Sequence, residues 1–145
     1  MTRIITVLVL LLFSPTLASG DGKVAATMYK TVGCQCCDAY ADIMTENGFD
    51  VRVVESRNMT PIKSSLNVPK HLEGCHTVVI SDYVVEAHAP VGALKRLLRE
   101  KPAIRGISLP GILEGSPGMS GLKKGPFKIL SITDSDGPAP VYVTE

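Results

Sequence analysis

Three of the four cysteines in the chain, Cys34, Cys36 and Cys37, fall within four positions, where one hydrophobic pattern gives way to another. Upstream, "KVAATMYKT" alternates with the period of a strand. Downstream, Cys37, Tyr40, Ala41 and Met44 recur at i, i+3, i+4 and i+7, one apolar face of a helix that Asn47-Gly48 ends. A C-x-C-C cluster at a strand-to-helix junction narrows the choice of fold and of chemistry together. The unpaired N–H groups and the dipole at a helix start favour thiolate over thiol, and thiolate is the form that attacks disulfides and binds metals.

The elements that follow are legible in the same way. "FDVRVVES" reads as a second strand, and "MTPIKSSL" as a short helix with Thr60 as N-cap and Pro61 at its first position. "HTVVISDYVVEAHAP" reads as two strands turning at Ser81-Asp82, and "PVGALKRLLRE" as a helix with Val91, Leu94, Leu97 and Leu98 on its apolar face. The order β-α-β-α-β-β-α predicts an α/β fold, a thioredoxin-like mixed sheet flanked by helices, with a cysteine motif at the start of the first helix. Gly106 to Pro126 is dense in Gly and Pro and is expected to hold no regular element for long. It reads as a functional loop, a cover with little packing of its own. "FKILSITD" and "PVYVTE" then predict a closing hairpin that extends the sheet.

A chain of 145 residues with 45% hydrophobic residues can bury an ordinary core without disulfide staples, so the cysteines need another explanation. A formal net charge of +1, dispersed lysine and arginine, and 5% aromatic residues argue against a nucleic-acid partner. The N-terminus reads as an export signal over residues 1–20: Arg3, the short apolar run from Ile4 to Phe13, then small residues near Ala18 to Gly20. The apolar stretch from Ile4 to Leu17 is shorter than the roughly 20 residues a spanning helix needs. Residues 21–145 are therefore expected to be a periplasmic domain, off the membrane once the signal is cleaved, in an oxidising compartment where idle thiols do not persist.

Cys75, in "LEGCHTVV", is expected in the loop before the third strand, packed against the start of the first helix. Four sulfurs then converge. A thiolate-rich, exported site selects soft ions, Cu(I) before zinc. Zinc sites favour paired C-x₂-C units or regularly spaced histidines, and the spacing is unfamiliar for an iron–sulfur cluster. His76 is the candidate imidazole, either as ligand or as a hydrogen-bonding neighbour of the site. Met119, in "GSPGM", is the candidate thioether on the cover loop. His88 reads as a strand-end surface histidine, and Met28, Met44 and Met59 as packing. Two alternatives stay open: structural disulfides, which in any two-bridge scheme send one cluster cysteine to Cys75, and a thiol–disulfide oxidoreductase with Cys34 as nucleophile and Cys37 as resolver.

"GCQCC", "CHTVVISDYVVEAHAPVGALKRLL" and "LPGILEGSPGM" together resemble the DUF411 family, the copper-resistance proteins called CopG, over most of the chain beyond the signal. The resemblance implies a thioredoxin-like domain outside the cytoplasm that binds copper through Cys34, Cys36, Cys37 and Cys75, with a multinuclear cluster and a part in copper redox handling among its implications. Met119 matches the "GSPGM" segment. Gly33 and Gln35 stand where many relatives carry threonine and glycine. Neither position offers sulfur, so the departure touches local electrostatics. The implied partners are copper ions and other periplasmic copper-handling proteins.

Overall fold

The computed structural model describes residues 22–111, 113–135 and 137–145, so the expected signal at residues 1–20 lies outside the described residues. Seven strands form one mixed sheet: β1 Val24–Thr31, β2 Phe49–Ser56, β3 His76–Ile80, β4 Tyr83–Ala87, β5 Gly106–Leu109, β6 Lys128–Ile132 and β7 Val141–Thr144, in the order β2-β1-β3-β4-β5-β6-β7. Among the described residues, three α-helices, α1 Gln35–Glu46, α2 Thr60–Ser65 and α3 Val91–Glu100, and a short 3-10 turn, Lys70–Leu72, connect them. Strands β1 and β2 are parallel across α1, and β4 and β5 are parallel across α3. The other neighbours are antiparallel. The expected α/β class and closing hairpin are both observed.

The face of α1 read from the sequence is the buried one: Cys37, Tyr40, Ala41 and Met44. They pack with Ala93, Leu94 and Leu97 of α3 over Met28, Val78, Val85, Ile107 and Ile129 of the sheet. Burying a side chain of this size contributes about 1.5–3 kcal/mol. A smaller cluster, Val68, Leu72, Val84 and Ile132, lies apart from that core and receives the segment that follows α2.

Two expectations are corrected here. Thr60 does not cap α2; it is the first helical residue after Met59, and the Asn58 side chain accepts the Thr60 N–H at 3.0 Å. A short amide side chain two residues upstream reaches that N–H in an Asx turn. The Gly- and Pro-rich stretch opens with a buried strand, β5, because Gly106, Ile107 and Ser108 have strand partners on both sides and Leu109 pairs with Ala87 of β4. Gly106 permits this approach, since a Cβ there would lie 1.7 Å from the Val84 carbonyl oxygen. No helix among the described residues is long and apolar enough to cross a membrane.

Candidate metal centre

Strand direction brings the cysteines together. Because β1 and β3 run antiparallel, with Lys30 opposite His76, the end of β1 that leads to Cys34 lies beside the start of β3 that follows Cys75. Strand β4 returns antiparallel to β3, and β5 runs parallel to β4, so His88 and the loop after Leu109 emerge at that same end of the strands. Cys34 sits at the N-cap of α1, with an extended backbone and no side-chain cap.

The four sulfurs lie within 4.8 Å of one another. Cys34 and Cys37 are joined as a disulfide, while Cys36 and Cys75 are free. A bridge from the cluster to Cys75, which a two-bridge scheme requires, is absent. The Cys36 sulfur lies 3.6 Å from that of Cys34. Burial, reinforced by Cys36 close by, pushes the Cys75 thiol up to about 11.

His76 is fully buried in β3, with Nδ1 3.4 Å from the Cys75 sulfur and Nε2 without a protein partner. Burial pushes its imidazole down to about 3, with His88 and Lys63 acting in the same direction. His88 is not a surface residue. It is 3% exposed, and its Nε2 lies 3.2 Å from the Cys75 sulfur. Its Nδ1 lies 2.7 Å from the Pro117 carbonyl oxygen, which can only accept, so the ring proton sits on Nδ1 and the Nε2 lone pair faces Cys75. Tyr40 packs against both rings, with centroids at 4.8 and 5.3 Å, and its hydroxyl donates to the Ala89 carbonyl oxygen at 2.6 Å.

A cavity of about 280 Å³ opens onto this cluster and is lined by Cys36, Cys75, His88 and Met119, with Glu73, Gly74 and Gly111. The loop that carries Met119 is built against α1 rather than hung over it. Gly118, at φ +79°, lies so close to the helix start that a Cβ would meet the Cys36 carbonyl oxygen at 2.7 Å and the Tyr40 nitrogen at 2.9 Å. The donors facing the cavity are two thiols, a thioether and a lone-pair imidazole nitrogen, a set that suits a soft metal.

A family model described as "Protein of unknown function, DUF411" matches residues 72–119. Two solved structures, forms 1 and 2 of a "Copper resistance protein copG", are each 31% identical to the chain, with a TM-score of 0.76, covering 85% of this chain and 98% of theirs. The chain belongs to the DUF411/CopG copper-resistance family. Among curated proteins, none matches it significantly. The DUF411 match runs from Leu72 to Met119 and so contains Cys75, His76, His88, Pro117 and Met119, the half of the site contributed from outside the C-x-C-C motif.

The CopG-family chain also holds residues that its sequence did not flag. His88 was legible in principle: the hairpin pairs Ile80 with Tyr83 and Thr77 with Glu86, and two further steps along that register bring Cys75 opposite His88. Lys30, 2% exposed, bonds Asp38 of α1 and Glu55 of β2 at 2.8 Å each and so ties the cysteine-bearing helix to the sheet. Lys63 and Glu86 form a buried pair at 2.6 Å beneath Gly74. A lysine or glutamate in an amphipathic segment normally reads as a solvated face, so these had no sequence signal.

Proposed function

We propose that this chain is an exported, periplasmic copper-binding protein that holds Cu(I) through Cys34, Cys36, Cys37 and Cys75 and acts in copper tolerance. The observation that carries the reading is the convergence of four sulfurs within 4.8 Å at the mouth of a cavity that Met119 and His88 also line. The copper-resistance proteins it resembles support the same reading. In the thiolate state the cysteines offer more sulfur than one ion needs, which supports a multinuclear arrangement. His88 Nε2 and the Met119 thioether are the further donors that face the cavity. His76 supports the site from the buried side, beside Cys75. When bound, Cu(I) would supply a soft acid that the thiolates neutralise. Partners of the protein would then be other periplasmic proteins that pass or receive copper.

The Cys34–Cys37 disulfide supports a second reading, a thiol–disulfide oxidoreductase. In it the Cys34 thiolate attacks a substrate disulfide and releases one substrate thiol. The Cys37 thiolate then displaces the second, leaving the Cys34–Cys37 disulfide and a substrate reduced by two electrons. The two readings meet in one consequence: forming that bridge removes two of four sulfur donors, so thiol oxidation lowers the capacity for copper.

The test is a Cu(I) titration against a competing chelator, on reduced protein and on protein with the Cys34–Cys37 bridge formed. The proposal expects tight binding that weakens in Cys36→Ser and Cys75→Ser and a lower capacity in the bridged form. Undiminished binding in both serine variants would leave an ordinary dithiol and favour the oxidoreductase.

A further inference from the structure

Across β3, β4 and β5, on the sheet face opposite α1 and α3, three fully buried polar side chains stand side by side: Thr77, Glu86 and Ser108 are in register with one another. None of them touches the cysteines. Ser108 and Glu86 bond the segment between α2 and Cys75, and Thr77 bonds Glu86 and Lys63 of α2. Ser108 donates its hydroxyl to the Leu72 carbonyl oxygen at 2.7 Å. Glu86 Oε2 accepts the Gly74 N–H at 2.7 Å and the Lys63 ammonium at 2.6 Å, while its Oε1 accepts the Thr77 hydroxyl. Lys63 Nζ also donates to Thr77 Oγ1 at 2.9 Å. The carboxylate and the ammonium are thus both hydrogen-bonded, the condition under which a buried pair holds its geometry.

We infer that this buried row is a positioning device for the metal site: it holds Leu72 and Gly74 so that Cys75 meets His88 and the C-x-C-C cysteines. The inference rests on the metal-binding reading above. Its geometry is restrictive on both sides of Cys75. Gly74 lies against β4 so closely that a Cβ would come within 2.4 Å of the Ala87 Cβ, and Ala87 itself takes the left-handed region, φ +58°, directly before His88. The chain before Cys75 and the chain before His88 are therefore packed onto each other, and Glu86 joins them by bonding Gly74 from β4. Lys63 and Glu86 are positioning residues, since neither reaches the cavity.

The double variant Lys63→Met/Glu86→Leu removes both charges and leaves neither ion buried without its partner, an exchange that folded proteins often tolerate. It is made in the full chain, with Cys75 present and in a Cys75→Ser background, and titrated with Cu(I) alone. In the metal-free protein the Gly74 amide should exchange its hydrogen at least about tenfold faster than in the wild type. The Cu(I) affinity should fall about tenfold where Cys75 is present, as for other residues that orient metal ligands, and should fall no further where Cys75 is already serine. Ser108→Ala, which deletes only the hydroxyl on Leu72, should give the same pattern at smaller amplitude and stands in if the double variant does not fold. Unchanged Gly74 exchange, or an equal loss of affinity in both backgrounds, would overturn the inference. A wild-type chain that takes up no Cu(I) would remove the metal reading and this inference with it, an outcome distinct from failure of the clamp because Gly74 exchange is read without metal.

Discussion

His88 turns Cys75 from a lone thiol into half of a donor pair. With its proton held on Nδ1 by Pro117, Nε2 offers a lone pair 3.2 Å from the Cys75 sulfur. His88→Ala should therefore weaken Cu(I) binding about tenfold or more, as chelator competition would read, whereas His71→Ala, at an exposed position, should not. Equal binding in the two variants would return His88 to a packing role. His76 acts on stability through pH. Its imidazole takes a proton only near pH 3 in the fold but near 6.5 when unfolded, so the unfolded state binds more protons between those values. The stability due to neutral His76 is thus full above about 6.5 and is lost as pH falls toward 3, on the order of a few kcal/mol. Urea unfolding of the metal-free protein at pH 7 and pH 4 should show this loss, and His76→Phe should reduce it. Cys34, Cys36, Cys37, Cys75 and Met119 were all legible as residue types suited to a soft metal. His88 was not, because a histidine at a strand end reads as exposed until the register of the hairpin is followed back to Cys75.

At the scale of elements, the site depends on how the loop after β5 seats on α1. The sequence marks that loop by its Gly and Pro but gives no sign that Gly118 packs against the Cys36 carbonyl, since the two lie far apart along the chain. Gly118→Ala meets both a left-handed φ and a Cβ 2.7 Å from backbone oxygen, so it should destabilise the protein by about 1–3 kcal/mol. It should also shift Pro117 away from His88 and Met119 out of the cavity. Denaturant unfolding checks the first effect and the rate of Cu(I) release the second. Met119→Leu keeps the volume and removes the sulfur, so it should speed release while leaving stability within about 1 kcal/mol. Identical release from wild type, Gly118→Ala and Met119→Leu would mean that the loop plays no part in holding metal. Helices α1 and α3 and strands β1 to β4 could be read from periodicity alone, whereas β5 could not. Four residues between a helix and a Gly- and Pro-rich loop carry too little pattern, and neighbouring strands supply what the sequence lacks.

For the whole molecule, one end of the strands gathers everything the site needs: the end of β1, the starts of α1 and β3, the end of β4 and the loop after β5. The antiparallel β1–β3 and β3–β4 pairs and the parallel β4–β5 pair make that convergence a consequence of topology. It was foreseeable for Cys75 once the element order was known. The polar row under Gly74 was not, because burial of Lys63 and Glu86 requires the three-dimensional partner of each. The central claim is that the converged sulfurs hold copper rather than only exchange disulfides, and copper content measured on protein purified anaerobically under reducing conditions and loaded with Cu(I) tests it most directly. The account predicts at least one tightly held copper per chain, reduced in Cys36→Ser and in Cys75→Ser while circular dichroism shows the fold unchanged. Folded protein that retains no copper yet reduces a disulfide substrate through Cys34 and Cys37 would contradict it.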